Sequence, residues 1–323
     1  MHAPDGFLNA GTALATGALS SASIGAALRQ TRRRLQEKQV PLAGIAAAFV
    51  FAAQMVNFPV AAGTTGHLLG GALAAILLGP ATGALVVAVV VAIQALVFAD
   101  GGLTALGYNV LNMAVITSFG GYAAFRLSRR ILPATSTGVA AAAGLAAGTS
   151  VVLASMAFSV EWLFGATVPV PFDTVFGAMV GVHLLIGIGE GLITGLTVAA
   201  VLAVRPDLVH GAADLDRSQL ASRGRPPVRA FAIAGLLASL LIAAVVSQFS
   251  SGEPDGLSAV ATETGIAVSA GDHALDNGIF ARYATSGVNN QTLSLAVAGS
   301  AGVLISLAVV GGMVIAVRDR ERT

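Results

Sequence analysis

The sequence predicts an all-α integral membrane protein: a seven-helix unit over residues 1–203, followed by a two-helix hairpin. Three observations carry this reading. Of the 323 residues, 55% are hydrophobic and only 10% charged, with a mean hydropathy of +0.83; a soluble domain of this size needs more charge to cover its surface. Apolar runs of about 20 residues, the length that crosses a bilayer as a helix, recur along the chain. The basic residues cluster between alternate runs.

The candidate spans are 8–28, 41–57, 67–79, 81–99, 103–125, 137–160, 175–203, 230–249 and 293–317. The stretch from His67 to Ala99 is too long for one crossing at about 1.5 Å per residue. Gly79-Pro80 divides it, because proline removes a donor and clashes with the preceding turn. The first half is short, as expected of a helix surrounded by protein. The 39 glycines suit helices that approach closely.

Charge fixes the parity. With nine crossings and the N-terminus outside, every basic residue except Arg282 falls on the cytoplasmic side, as the positive-inside rule requires. Asp5, Asp100, Glu161, Asp173, Glu253, Asp255, Glu263, Asp272 and Asp276 fall on the other. Residues 204–229 read as a polar, flexible cytoplasmic linker. Residues 230–323 read as two membrane helices joined by an external loop. The expected location is the cell inner or plasma membrane, multi-pass, with the C-terminus cytoplasmic. No internal repeat is visible. Met1 to Asn9 holds no Lys or Arg, so no signal peptide is read and Met1 is expected to stay.

Some chemistries are excluded. The chain has no Cys, hence no disulfide and no thiolate metal site. Its only Lys is Lys38, preceded by Glu37, so there is no P-loop. There is no HExxH and no catalytic triad spacing, and nothing reads as a nucleic-acid surface. The chain is expected to be no enzyme; ATP, if used, is handled by another subunit.

Of the five His, His2 and His67 are placed at the outer face. The Met1 amine, the His2 backbone nitrogen and the His2 ring nitrogen close two small fused chelate rings. One more imidazole completes a planar nitrogen set suited to Ni(II) or Cu(II), with Co(II) also compatible. His67, between GTTG and Gly70-Gly71, is the natural fourth ligand. The plain alternatives are a chance His at position 2 and a capping His at a helix start. Polar residues inside spans are costly and mark candidate functional positions. Gln54, Asn57, Gln94, Asn109 and Asn112 are read as groups that orient the ligands or as interhelical hydrogen bonds; Asn109 and Asn112 share a helix face. His183 and Glu190 share a face of the 175–203 helix, with Glu190 the sole acid deep in a span, able to pair with His183 or a partner subunit or to pass protons. Asp100-Gly101-Gly102 reads as a tight external turn.

Together the segments MHAPDGFL (1–8), GHLLGGALAAILLGP (66–80), QALVFADGGLTALGYNVLNMA (94–114) and HLLIGIGEGLIT (183–194) resemble the substrate-capture subunit of energy-coupling-factor cobalt and nickel importers, the CbiM/NikM family. EPDGLSAVA (253–261) resembles the PDGLE segment of the small CbiN/NikN-type accessory subunit, with Ser258 where that motif has Glu. The resemblance implies Met1, His2 and His67 as ligands of a transported Co2+ or Ni2+. It implies an N-terminus that enters the bundle. It also implies a transmembrane coupling subunit and cytoplasmic ATPases as partners. The competing readings are a membrane metal sensor or scaffold that transports nothing, and an organic-vitamin capture subunit, which would need more aromatic residues than one Trp and three Tyr.

Overall fold

The computed structural model describes residues 1–34, 39–61, 63–215 and 226–319. Lys38, Arg217, Arg223, Arg225, Arg320 and Arg322 lie outside these, so their part in the charge pattern rests on sequence alone. The architecture is helical and membrane-spanning. In chain order come α1 (Ala10–Arg34), α2 (Gln39–Gln54), α3 (Gly71–Leu78), α4 (Pro80–Val97), α5 (Leu106–Val110), α6 (Thr117–Ser128), α7 (Ser136–Gly165) and α8 (Phe172–Val204). The C-terminal part adds α9 (Val228–Ala244), the short α10 (Gly256–Thr264) and α11 (Gln291–Asp319). Among the described residues, seven helices are long and apolar enough to cross a membrane: α1, α4, the continuous α5–α6 unit, α7, α8, α9 and α11. The shorter α2 and α3 complete a seven-helix unit before the hairpin.

Local chemistry sets the breaks. Gly79, at φ +91°, turns the chain between α3 and α4, and Pro80 opens α4, where its missing N–H costs nothing. A π turn, Leu111–Ile116, joins α5 to α6; such turns break the regular ladder and often sit at functional places. Thr135 caps α7, its hydroxyl accepting from the Gly138 amide at 3.1 Å. Helices α7 and α8 meet backbone to backbone. A Cβ at Gly148 would lie 2.9 Å from the Gly187 carbonyl oxygen, and one at Gly144 the same distance from that of Gly191. Two GxxxG pairs therefore face each other, the small-residue contact that lets membrane helices pack by dispersion alone.

The hairpin packs against the seven-helix unit through α2. Gly302 takes the ring of Phe51, and Gly299 takes Met55. Residues 205–215, the first part of the expected linker, form short 3₁₀ turns with Leu208, Val209, Ala212 and Leu215 buried. Two features depart from the expectations. Phe58–Ala61 and Thr64–Gly66 form a small antiparallel pair of strands, β1 and β2, leading into His67. Glu161, expected in an external loop, lies inside α7 and is buried.

Candidate metal-capture site

The N-terminal segment enters the bundle. Met1, Ala3, Phe7 and Leu8 are all buried. Its path is set by backbone pairing with side chains of later helices. Asn109 holds Ala3 by both edges: its Oδ1 accepts from the Ala3 amide and its Nδ2 donates to the Ala3 carbonyl, each at 3.0 Å. The Asp100–Gly102 turn is more than a turn. The Gly102 amide donates to the Ala3 carbonyl at 2.9 Å. Any side chain at Gly102 would strike Asp5. Asp5 in turn accepts from the Leu103 amide and from the Thr104 amide and hydroxyl.

This clamp brings the chain terminus to His67. The Met1 amine donates to His67 Nε2 at 2.8 Å. His67 Nδ1–H donates to the Leu68 carbonyl at 3.0 Å, which leaves the Nε2 lone pair facing the amine. His2 shows the complementary tautomer. Its Nε2–H donates to Gln94 Oε1 at 3.0 Å, and its Nδ1 lies 3.5 Å from Asp100 Oδ1. The two rings stack with centroids 5.3 Å apart. Burial pushes the His2 imidazole down to about 4, against the opposing pull of Asp100, so His2 is neutral near pH 7, the form that binds metal.

The segment carrying His67 is held from below. Glu190 accepts from the Leu69 amide at 2.7 Å and the Gly70 amide at 3.0 Å. Gly70, at φ +80°, is the N-cap of α3; the carboxylate thus sits at a helix N-terminus, where the dipole favours it. Gln54 Nε2 donates to the Leu69 carbonyl at 2.9 Å. His183 and Glu190 do not pair: His183 Nδ1–H donates to the Met179 carbonyl at 2.7 Å. His183 does, however, line the same small cavity as Met1, His67 and Asp255. Asn57 stays away from the ligands and ties the accessory loop by its backbone: its amide donates to Ser250 Oγ and its carbonyl accepts from the Ser251 amide. Asn112 also stays away, donating to Glu161.

Sequence reasoning missed Asp255. It caps α10, Oδ1 accepting from the Ser258 amide at 2.9 Å. Its Oδ2 accepts from the Met1 amine and lies 3.7 Å from His67 Nε2. Burial alone would raise this carboxyl; the N-terminal ammonium and His67 overcome burial and hold it well below the usual carboxylate range. Thr65 fastens the loop, its amide donating to the Pro254 carbonyl at 2.9 Å. The signal in the sequence is the Asp of the PDGL motif, placed at a helix start. Ser258 is exposed and its side chain lies three residues past the cap, where Glu would complete a capping box.

Among the described residues, no cluster of three His, Cys, Asp or Glu side chains forms a metal site; what the buried terminus brings together is an amine and an imidazole nitrogen, 2.8 Å apart.

A multi-pass membrane protein whose buried terminal amine meets an imidazole fits the transition-metal transport proteins, and sequence and structural likeness place it among them. Residues 2–208 match the family model for the cobalt uptake substrate-specific transmembrane region (CbiM), and 229–319 match the PDGLE domain; the chain belongs to the CbiM family and carries a fused PDGLE domain. It is 36% identical to the fused nickel transport protein NikMN of Rhodobacter capsulatus, over 65% of this chain and 64% of that one. It is also 36% identical to the cobalt transport protein CbiM of Sorangium cellulosum, over 68% of this chain and 96% of that one. A crystal structure of a truncated transition metal transporter superposes with a TM-score of 0.55 at 32% identity, covering 62% of this chain and 98% of that one.

Proposed function

We propose that the chain captures Ni2+ or Co2+ at the outer face of the membrane through the Met1 amine, the His2 backbone nitrogen, His2 Nδ1 and His67 Nε2. The carrying observation is the 2.8 Å approach of the amine to His67 Nε2. Gln94 and the Leu68 carbonyl hold the proton of each ring on the far nitrogen. Asn109, Gln54 and Glu190 position the two strands that bear these donors. Asp255 reaches the site from the accessory loop and closes it. In the metal-free state the ammonium proton holds the place of the cation between Asp255 and His67. Capture displaces that proton and also the His2 amide proton, because a backbone nitrogen binds metal only once its hydrogen has left, so affinity falls as pH drops; the His2 ring, already neutral near pH 7, adds nothing there.

Import is then completed by an energy-coupling-factor complex in which a transmembrane coupling subunit and cytoplasmic ATPases, on other chains, drive reorientation of the capture unit. The family membership and the absence of a P-loop in the sequence support this division of labour. The test is calorimetric Ni2+ binding by the purified full chain. His67→Ala is expected to weaken it at least 100-fold, beyond the roughly 10–100-fold that loss of an outer-shell partner costs. Binding within threefold of the parent would remove His67 from the site. Uptake by cells expressing the chain with its partner subunits separates import from a sensor or scaffold role.

A further inference from the structure

One buried polar pair is left out of the capture site. Asn112 lies in the π turn between α5 and α6 and Glu161 in the last part of α7. They are 3% and 7% exposed. Asn112 Nδ2 donates to Glu161 Oε2 at 2.7 Å. The remaining oxygen of each group, Asn112 Oδ1 and Glu161 Oε1, is fully buried and accepts nothing.

An ionised Glu161 cannot satisfy this arrangement. A carboxylate oxygen and an amide oxygen are both acceptors only, so each would stay unsatisfied where no water competes. The charge would also lie buried in the bundle without a cation beside it. The ion pairs among the described residues all involve other acids. A metal cation is a poor filler, since hard cations gather six or more oxygens and two are on offer here. One proton removes both deficits. Placed on Glu161 Oε1, it makes a donor for Asn112 Oδ1, while Asn112 Nδ2–H keeps its bond to Oε2. Acid and amide then close a ring of two parallel hydrogen bonds.

We propose that Glu161 is a proton-binding site of the capture unit, a neutral carboxylic acid closed onto Asn112 in the resting protein. Its position gives the proton a task. Asn112 follows by three residues the Asn109 that clamps Ala3. Tyr108, one turn before Asn112, donates to the Pro4 carbonyl at 3.2 Å. The ring therefore anchors to α7 the helix on which the N-terminal segment hangs. Loss of the proton removes one bond, sets a charge against Asn112 Oδ1, and loosens that anchor. The titratable groups within electrostatic reach are Tyr108 and, through it, Asp5. On α8, His183 and Glu190 are bonded to backbone groups; on α6, Arg126 and Tyr122 line a different cavity, beside His210.

Infrared difference spectroscopy of the full chain in detergent tests this. Glu161→Gln presents an amide in place of the acid, keeps both bonds of the ring, and should fold. The spectrum of the parent minus Glu161→Gln at pH 7 is expected to contain the carbonyl band of a protonated carboxylic acid; exposed glutamates, ionising near ~4.3, contribute none, and Glu190 cancels because both samples hold it. In Asn112→Ala the band should move to the higher frequency of an acid carbonyl that has lost its hydrogen bond. Carboxylate bands alone at pH 7 would overturn the proposal, and so would an acid band unmoved by Asn112→Ala.

Discussion

The triplet Pro-Asp-Gly occurs twice beside the capture site, and the two copies do different work. In Pro4-Asp5-Gly6 the aspartate is spent on structure: both oxygens accept from the Leu103–Thr104 segment. Gly6 stands at φ +89°, with the Ser269 carbonyl where a Cβ would be. In Pro254-Asp255-Gly256 one oxygen caps α10 and the other is left for the Met1 amine. Gly256 is needed for closeness, since a Cβ would strike Ile186. The same three residues thus build a scaffold on one strand and deliver a charge from the other. What decides between them is how many backbone donors the neighbouring chain offers the carboxylate.

Breaking the first copy should cost the most stability. Asp5→Ala removes three hydrogen bonds to a charged acceptor, each worth about 1.5–3 kcal/mol when intact. Discounting for the exposed Thr104 bonds, a loss of about 3 kcal/mol is expected in thermal unfolding in detergent, with metal affinity lowered only as far as the segment detaches.

Asp255→Asn comes next and separates charge from shape. Asparagine keeps an oxygen for the Ser258 amide and loses the ion pair with the amine. The cost should exceed the roughly 1 kcal/mol of an exposed pair and stay below about 3 kcal/mol, the lower end for a buried one. Asp255 is held below its unfolded value, near ~3.9. Its contribution is therefore complete above that pH and lost as pH falls through the folded-state value. The stability gap between parent and Asp255→Asn should be flat from pH 7 to about 5 and close on further acidification. A gap that widens in acid would contradict the ion pair.

Ser258→Glu should do least. It restores the reciprocal arm of a capping box on an exposed position, for a gain of about 0.5–1 kcal/mol, and leaves Ni2+ affinity unchanged. A tenfold change in affinity would place residue 258 in the site and reverse the contrast between the two triplets.

Much of this was legible in the chain. Apolar runs, the Gly79-Pro80 break and the glycine-flanked His67 are local signals, and local signals survive without coordinates. Gln94, Asn109, Gln54 and Glu190 could be picked out because a polar group in a span must find a partner. Asn109, Gln54 and Glu190 bond backbone groups of the segments that carry His2 and His67, and Gln94 bonds the His2 ring itself. Asp255 was hidden because its reach to Met1 spans nearly the whole chain, and no periodicity records such a contact. Glu161 was misplaced for a related reason. A charge at the edge of an apolar run reads as the start of a loop, and only Asn112, on another helix, explains why it can remain inside. Asn57 shows the reverse error: a polar residue near the site whose backbone, tied to the accessory loop, makes the contact.

The central claim is that the chain terminus itself is a ligand, and two added residues test it. With Gly-Gly placed before Met1, the amine moves away from His67 Nε2, and His2, now fourth in the chain, can close neither the two fused rings of an X-His terminus nor the three of an X-X-His terminus. Calorimetry at pH 7 should then show Ni2+ affinity reduced at least 100-fold, while thermal unfolding confirms that the bundle is intact. Affinity within threefold of the unextended chain would contradict the account.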